Sequence, residues 1–299
     1  MGLKPTILLT GAGGFIGLHL AQSLIKEKYP LILVGRDQAH LDSSLRQIPF
    51  IRYAGTVESL QEGLGGKSPK IIVHLASLFL AQNTPQQISS LIESNILFGT
   101  HLVQAGVERG VTSFLNTGTA WQNYQDQPSN PVNLYAATKE AFEQILKYYQ
   151  SAYGLFTLTL RLNDTYGLRD MRSKIISLLI RSGLSGSPLK LSPGLQILQP
   201  LHILDVCRGY LRALNLIEFV KVSNGSVFAL RGNEKLTLRE LANLVGHLLG
   251  CPVPAEFGET SYREREVFKP ESRLPLLPGW KAEISLEDGL IELINDFPD

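Results

Sequence analysis

A tyrosine and a lysine stand four residues apart, at Tyr135 and Lys139, in a segment whose apolar spacing predicts a helix. Residues at this separation lie on one helix face, so the phenol and the ammonium are neighbours. A free tyrosine has a pKa of ~10, and a nearby cation lowers that pKa by stabilising the phenolate. Such a pair can give a proton to a carbonyl oxygen or take one back. A solvated lysine on an exposed helix would show the same spacing.

A hydroxyl group completes this pattern at Thr119. It ends the run Asn116-Thr117-Gly118-Thr119, which continues a predicted strand that begins at Phe114. Open α/β sheets place their ligand sites at the carboxyl ends of strands. The Thr119 hydroxyl can donate a hydrogen bond to a substrate carbonyl there. We therefore predict Thr119, Tyr135 and Lys139 as the catalytic residues.

Three glycines near the N-terminus, Gly11, Gly14 and Gly17, form a G-x-x-G-x-x-G loop. The loop follows a predicted strand, Thr6–Leu9, and opens a predicted helix, Phe15–Glu27. This arrangement lets the backbone approach a pyrophosphate and turns free helix N–H groups towards it. A glycine-rich turn with no ligand is the alternative. The context favours a nicotinamide dinucleotide, with contacts at Gly11, Gly14, Phe15, Ile16 and Gly17.

The end of the second predicted strand, Val34-Gly35-Arg36, bears on which dinucleotide is bound. An NAD enzyme usually carries a carboxylate here for the ribose 2′-hydroxyl, but this chain has Gly35. The Arg36 guanidinium suits a 2′-phosphate in charge and geometry. Asp37 is either a competing carboxylate or a turn or cap residue. The pattern favours NADP, with NAD as the alternative.

Short apolar runs alternate with helical patterns through the first half of the chain, which predicts an α/β fold with a Rossmann-type, doubly wound parallel sheet. Beyond Gly167 the pattern becomes irregular. Helices are predicted there over Ile175–Ser182, Val206–Ile217 and Thr237–Leu249, the last opened by a capping box at Thr237 and Glu240, and a short helix closes the chain after Ser285. The segment from Gly183 to Gly194, rich in Gly, Ser and Pro, is expected to be a loop. The predicted strands are Thr6–Leu9, Leu31–Val34, Ile51–Tyr53, Ile71–Leu75, one starting at Phe114, Thr157–Leu162 and Ser226–Leu230. A long helix is predicted over Ile88–Arg109.

The composition excludes several classes of protein. The net charge is +1, from 28 basic and 27 acidic residues, so no strong field attracts nucleic acid or an anionic membrane. No apolar stretch approaches the ~20 residues that span a bilayer. Two cysteines, Cys207 and Cys251, are too few for a disulfide framework and fit free thiols in the cytoplasm. Without an HExxH motif or a Cys/His cluster, we expect no metal.

These motifs resemble the extended short-chain dehydrogenase/reductases of the NAD-dependent epimerase/dehydratase type. The further matching pieces are His74-Leu75-Ala76-Ser77, Asn95 with Gly99-Thr100, Arg161 to Gly167, and His202 with Asp205. The resemblance implies that Lys139 holds the nicotinamide ribose and that Leu75, Ala76, Ser77 and Asn95 belong to the cofactor site. It also implies a strand after His202–Ile217 that joins the sheet, and a homodimer through the helix that carries Tyr135 and the long helix before the strand at Phe114. The apolar residues Phe142, Ile145 and Leu146 fit that contact but are equally ordinary core positions. The dinucleotide-binding domain would then comprise 1–167 and about 198–231, and a smaller C-terminal substrate domain about 168–197 and 232–299.

Two departures from the family pattern carry information. Gly55-Thr56 stands where the family often has Gly-Asp to hold the adenine, which puts that contact in doubt. Asp164 replaces the family's asparagine. The run Asp164-Thr165-Tyr166-Gly167 resembles nucleotide-sugar 4-ketoreductases such as the CDP-abequose and CDP-paratose synthases. The implied substrate-binding residues are Asp164, Tyr166, Arg172, Lys174 and Arg263, although the charged run around Arg263 could equally be solvated.

The residues after Thr119 narrow the range of reactions that the chain is expected to catalyse. Sugar 4,6-dehydratases carry Asp-Glu at this place, but the chain has Ala120-Trp121, so dehydration is not expected. Arg36 favours NADP, and NADPH is consumed in a net reduction. We therefore expect reduction of the 4-keto group of a nucleoside-diphosphate deoxysugar. A nucleotide-sugar 4-epimerase that recycles bound NAD, and a non-catalytic NADP(H)-binding regulatory protein, remain the alternatives.

Overall fold

The computed structural model of the chain describes residues 4–270 and 273–297. The strands are β1 (Ile7–Thr10), β2 (Leu31–Gly35), β3 (Phe50–Arg52), β4 (Ile71–His74), β5 (Ser113–Thr119), β6 (Phe156–Leu162), β7 (Thr165–Tyr166), β8 (Leu189–Leu191), β9 (Ile197–Leu198), β10 (Leu201–His202), β11 (Ser226–Leu230), β12 (Leu236–Thr237) and β13 (Ala255–Phe257). The α-helices are α1 (Phe15–Lys26), α2 (Val57–Leu64), α3 (Ile88–Ile92), α4 (Phe98–Glu108), α5 (Leu134–Tyr153), α6 (Ile175–Ser185), α7 (Ile203–Glu218), α8 (Leu238–Leu249) and α9 (Leu286–Asn295).

Seven parallel strands form the central sheet, in the order β11-β6-β5-β4-β1-β2-β3. Its middle strands are almost continuous apolar runs, as expected for strands that are buried on both faces. Helices α1 and α7 pack against one face, in a core that includes Leu20 and Tyr210. Helices α2, α4 and α5 cover the other face around Leu102 and Phe142. The predicted Rossmann-type, doubly wound architecture is confirmed.

The last strand of the sheet comes from far along the chain. After β6 the chain leaves the sheet, forms α6 and α7, and returns as β11. This strand pairs in parallel with β6, with Ser226 opposite Leu158 and Leu230 opposite Leu162. The strand that the family resemblance implied is therefore present.

A third apolar cluster lies apart from the two faces of the sheet. Helices α6, α8 and α9 bury Leu179, Leu241 and Leu290 against one another. The Thr237 capping box begins α8 as predicted, with the Thr237 Oγ1 accepting from the Glu240 N–H at 3.1 Å. This cluster draws on residues assigned to the substrate domain, and the exact division into domains stays a prediction.

Three local features differ from expectation. Helix α2 was not predicted, because its eight residues bury only Leu60 and Leu64. The loop expected from Gly183 to Gly194 contains β8, which pairs with β13. The helix predicted over 88–109 is interrupted by a π-helical turn, Glu93–Leu97. Among the described residues, no helix combines the length and the apolar character needed to cross a membrane.

Candidate active site

A cleft opens at the carboxyl ends of β1, β4, β5 and β6. It brings together residues far apart in sequence, from the glycine loop to the segment 263–270. Of the predicted site residues, those that line the cleft are Gly11, Gly14, Phe15, Ile16, Gly17, Leu75, Ser77, Thr119, Tyr135, Lys139, Asp164, Arg172, Lys174 and Arg263. The ones that do not are Arg36, Ala76, Asn95 and Tyr166. Most of the predicted site thus converges on one cavity.

The glycine loop is shaped so that side chains are excluded. Gly11 has φ of +76°, and a Cβ there would lie 2.7 Å from the Ala76 nitrogen. A Cβ on Gly17 would lie 1.9 Å from the Gly11 carbonyl oxygen. The first turn of α1 contains no acidic residue, and its N-cap Gly14 supplies no capping side chain. The loop therefore presents backbone N–H groups at a helix N-terminus, a cradle that fits a dinucleotide pyrophosphate.

The segment after β4 is held by Thr10. Its Oγ1 accepts from the N–H groups of Leu75 and Ala76, both at 3.1 Å, and lies 2.9 Å from the His74 Nδ1. Because that oxygen already accepts twice, its own hydrogen is left to donate to the imidazole. Burial and the nearby Lys139 lower the His74 pKa to about 3, so the ring is neutral at pH 7. Ala76 thus belongs to the floor that supports the cleft.

Asn95 supports the same segment from behind. Its Oδ1 accepts from the Leu78 N–H at 2.7 Å and from the Ser77 Oγ at 3.1 Å. Its Nδ2 donates to the Leu78 carbonyl and to the Thr138 Oγ1, each at 3.0 Å. The π-helical turn carries Asn95, and such turns often occur at functional sites. Asn95 therefore ties Ser77 to α5 without facing the cleft.

Tyr135 lies in the first turn of α5, which Asn133 caps by accepting from the Ala136 N–H at 2.9 Å. Desolvation raises the Tyr135 pKa to about 12, while a hydrogen bond with Ser77 and the charge of Arg172 act in the opposite direction. We expected Lys139 to lower this pKa. Instead, burial raises it, and the cation that partly opposes the rise is Arg172 rather than Lys139. The phenol is consequently protonated at neutral pH and can donate.

Lys139 lies one helical turn after Tyr135 and is almost completely buried. Burial lowers its pKa to about 8, and the negative charge of Glu143 partly opposes this shift. The other titratable group that interacts with it is the neutral His74. The ammonium therefore persists at neutral pH but is readily lost above it.

Thr119 ends β5 and faces the same cavity. Its N–H donates to the Gln122 Oε1 at 2.8 Å, and its Oγ1 accepts from the Trp121 N–H at 3.3 Å. With the oxygen engaged as an acceptor, the hydroxyl hydrogen is available for a carbonyl oxygen in the cleft. Thr119, Tyr135 and Lys139 thus line one cavity, as the spacing predicted.

Arg36 and Asp37, which follow β2, have different environments. Arg36 is exposed at the end of β2, whereas the Asp37 Oδ1 accepts from the Ala39 N–H at 2.9 Å and caps a short turn. Of the two roles considered for Asp37, a carboxylate for the ribose or a cap residue, the structure supports the cap residue. Arg52, a residue that the sequence did not single out, is the register partner of Gly35 on β3 and is also exposed. Two cations therefore end adjacent strands here. Thr56, in the adenine position, instead caps α2.

Tyr166 does not reach the cleft, contrary to expectation. It is buried in the third apolar cluster, and its ring centroid lies 5.3 Å from that of His202. Successive side chains of a strand point to opposite sides. In β7, Thr165 faces the cleft, so Tyr166 faces away. The expected substrate contact is therefore abandoned, and Tyr166 packs the core.

Each cation predicted to bind the substrate has a carboxylate partner. Lys174 Nζ lies 3.6 Å from Asp164, Arg172 Nε lies 2.6 Å from Asp170, and Arg263 donates to Glu266 at 2.8 Å. Each also lies over an aromatic ring: Lys174 over Phe79, Arg172 over Phe15, and Arg263 over Trp121. Lys174, Arg172 and Arg263 are thereby held in fixed orientations around the cleft.

The cleft has an apolar side that the sequence did not reveal. Phe79, Trp121 and Val132 line it beside Tyr135. The Phe79 and Trp121 ring centroids are 5.7 Å apart. Asn163, Gln199 and Lys269 also line the cleft and were not predicted as site residues. Asn163 lies within the matched run Arg161 to Gly167, whereas no short motif marks Gln199 or Lys269. Within the described part of the chain, no group of three or more metal-ligating side chains comes together.

Comparison with known proteins places this cleft in a family. The model of the NAD dependent epimerase/dehydratase family matches residues 7–224. The chain is 25% identical to a CDP-abequose synthase of Salmonella muenchen over 298 residues, 99% of each chain. It is 26% identical to a putative UDP-glucose 4-epimerase of Methanocaldococcus jannaschii over 311 residues, 97% of each.

The fold agrees with this assignment. The UDP-glucose 4-epimerase of Thermus thermophilus, solved in complex with NAD, matches with a TM-score of 0.82 at 20% identity and 98% coverage of both chains. The resemblance drawn from the motifs is thus confirmed by both sequence and fold. Since the family model spans the greater part of the chain, the chain belongs to the NAD-dependent epimerase/dehydratase family.

Proposed function

We propose that this chain modifies a nucleotide sugar and, more specifically, that it reduces the 4-keto group of a nucleoside-diphosphate deoxysugar with NADPH. The observation that carries the proposal is the convergence of Thr119, Tyr135 and Lys139 on the cleft that the glycine loop also lines. The relatives support the substrate class, because their names, CDP-abequose synthase and UDP-glucose 4-epimerase, both denote nucleotide sugars.

The side chains have separate tasks in this reduction. Bound NADPH supplies the hydride that reduces the keto carbon. Tyr135, protonated at neutral pH, gives its proton to the carbonyl oxygen as this oxygen gains negative charge. Thr119 orients the same oxygen through its free hydroxyl hydrogen. Lys139, a buried ammonium one helical turn after Tyr135, would hold the nicotinamide ribose beside the reacting carbonyl.

The apolar side of the cleft supports a deoxysugar. The keto carbon must lie at Tyr135, so one of its ring neighbours faces Phe79, Trp121 and Val132. Lys174 and Arg263 lie over the Phe79 and Trp121 rings, but both are already paired with carboxylates. A hydroxyl group that finds no partner beside this wall costs about 1–3 kcal/mol, whereas a methyl group costs nothing of the kind. Asn163, Asp164 and Gln199 also line the cleft and offer hydrogen bonds to hydroxyl groups. The diphosphate would be held by Arg172, Lys174 and Arg263.

The choice of NADP depends on Gly35 and Arg36. The carboxylate that would select NAD is missing from β2, and the Asp37 carboxylate is engaged in its own turn. Arg36, with Arg52 beside it, offers cations to a 2′-phosphate. NAD remains the alternative, since the matched Thermus structure is a complex with NAD.

The decisive experiment is an NADPH-oxidation assay against a panel of 4-keto nucleotide sugars. Net oxidation that the Tyr135→Phe variant loses would support the reductase. A 4-epimerase, the activity named for the Methanocaldococcus jannaschii and Thermus thermophilus proteins, would instead purify with NAD and convert a sugar without net cofactor turnover. NADP(H) binding without turnover of any nucleotide sugar would indicate the regulatory alternative.

We also infer a homodimer through α4 and α5. Ile88, Ile92 and Leu97 expose large apolar side chains next to these helices, and Tyr148 of α5 is 57% exposed. Of the three residues that the sequence offered for this contact, Phe142 and Leu146 lie in the core and Ile145 packs against it. Sedimentation analysis of the purified chain tests this inference, and Leu97→Glu should weaken the dimer.

A further inference from the structure

Gln122 is completely buried behind Thr119, outside the lining of the cleft. Its Oε1 accepts from the Thr119 N–H at 2.8 Å. Its Nε2 donates to Glu140 at 2.9 Å and to Glu143 at 2.8 Å. A carboxylate accepts hydrogen bonds and cannot donate them, so the amide has only one possible orientation. One carboxamide thus joins the strand end that carries Thr119 to the helix that carries Tyr135.

A buried arginine fixes the other side of these carboxylates. Arg161 of β6 donates to the two Glu143 oxygens at 3.2 and 2.7 Å and to Glu140 at 3.0 Å. We call Gln122, Glu140, Glu143 and Arg161 the buried quartet. Its two carboxylates face one guanidinium, which leaves one negative charge in excess beside Lys139. Charged hydrogen bonds of this kind are strong and directional, so the quartet resists displacement.

A simpler role for Gln122 would be to close the turn over 120–122. Its bond to the Thr119 N–H is indeed half of a capping box. A capping box needs only this local bond and that of the N-cap side chain. The Gln122 Nε2 additionally contacts residues 18 and 21 positions further along the chain, on the helix with the proton donor. The local role therefore leaves two of its three hydrogen bonds unexplained.

We propose that Gln122 is a positioning residue for the reduction, which sets Thr119 relative to Tyr135 and Lys139 through the buried quartet. The proposal rests on the proposed function of the cleft. Displacement by about 1 Å of a group that orients a reacting carbonyl can reduce turnover by ~10²-fold. Loss of Gln122 should act in this way, and it should leave cofactor binding unchanged because Gln122 lies outside the cleft lining and its hydrogen bonds go to Thr119, Glu140 and Glu143 rather than to the glycine loop.

The test compares Gln122→Met with Gln144→Met in the full chain. Gln144 is exposed on α5 and donates to Glu140 at 3.3 Å, but not to Thr119, so it is a matched control. In Gln122→Met we expect kcat to fall by ~10²-fold with the Kd for NADPH within about twofold of wild type. The Lys139 pKa, followed by NMR after isotopic methylation of lysines, should rise because Glu143 loses a donor. Gln144→Met should change none of these quantities.

The outcomes separate this inference from the proposed function. If wild type turns over no nucleotide sugar, the proposed function fails and this inference fails with it. If wild type is active but Gln122→Met retains its kcat and its Lys139 pKa, only the role of Gln122 is overturned. Should the Met variant not fold, Gln122→Asn, which keeps the carboxamide one methylene shorter, replaces it. An equal loss of kcat and of NADPH affinity would indicate a structural role and would also overturn the inference.

Discussion

The Phe79 ring packs edge-on against the Tyr135 ring, with centroids 4.9 Å apart and planes at 79°. This contact places an apolar surface directly beside the proposed proton donor. It also shields the phenol from water, which agrees with a Tyr135 pKa raised to about 12. The proposed proton donor and the apolar wall proposed to select the substrate are therefore built from adjacent side chains, and the two can be tested separately.

Removal of the Tyr135 hydroxyl tests the proton donor. Tyr135→Phe should reduce turnover by ~10²-fold or more, the scale of general acid catalysis. The affinity for NADPH should stay unchanged, because the ring remains in place. Tyr153→Phe, at the exposed end of the same helix, is the control. Steady-state rates with cofactor titration measure both effects, and full activity in Tyr135→Phe would refute the assignment.

The pH profile tests the state of Lys139. Its pKa of about 8 lies below that of a free lysine because burial disfavours the charged form. The mechanism uses the ammonium, so activity is present below pH about 8 and falls as the pH rises through that value. The profile of kcat/KM reports this group in the free enzyme. Lys139→Met should be almost inactive and without this basic limb. A flat profile up to pH 10 would contradict the role.

Replacement of Arg36 tests whether the chain prefers NADPH to NADH. A hydrogen bond to a charged group contributes about 1.5–3 kcal/mol, so Arg36→Ala should raise the KM for NADPH by about 10- to 100-fold. The KM for NADH should stay nearly constant, because NADH has no 2′-phosphate, and it serves as the internal control. Arg52→Ala should produce a smaller effect of the same kind. If wild type already prefers NADH, the assignment of Arg36 is wrong.

Substitutions in the apolar wall of Phe79, Trp121 and Val132 test which C5 substituent of the sugar the cleft prefers. With paired 4-keto substrates that carry a methyl or a hydroxymethyl group on C5, wild type should prefer the methyl by about 10- to 100-fold. Trp121→Gln or Phe79→Asn offers the hydroxyl a partner and should narrow this preference by about tenfold. Phe268→Leu, an exposed aromatic outside the cleft lining, is the control. An unchanged ratio of kcat/KM values in both wall variants would exclude this wall as the selector.

Much of the cleft was predictable because its motifs are local. Tyr135 and Lys139 meet because of helical periodicity, and the glycine spacing shapes a turn between one strand and one helix. By contrast, Tyr166 shares a two-residue strand with Thr165, and its spacing does not say which of the two faces the cleft. Helix α2 escaped prediction because only two of its residues are buried.

The sequence by itself determined the fold class, the shape of the glycine loop and the pairing of Tyr135 with Lys139 on one helix face, since each depends on the spacing of residues within one element or across one turn. Only the tertiary structure decided that Phe79, Trp121 and Val132 form a wall, that burial outweighs nearby charge at Tyr135, and that Gln122 connects Thr119 to α5. Those properties depend on contacts between segments tens of residues apart and on the exclusion of water. Neither contacts between distant segments nor the exclusion of water can be read from a local pattern in the sequence.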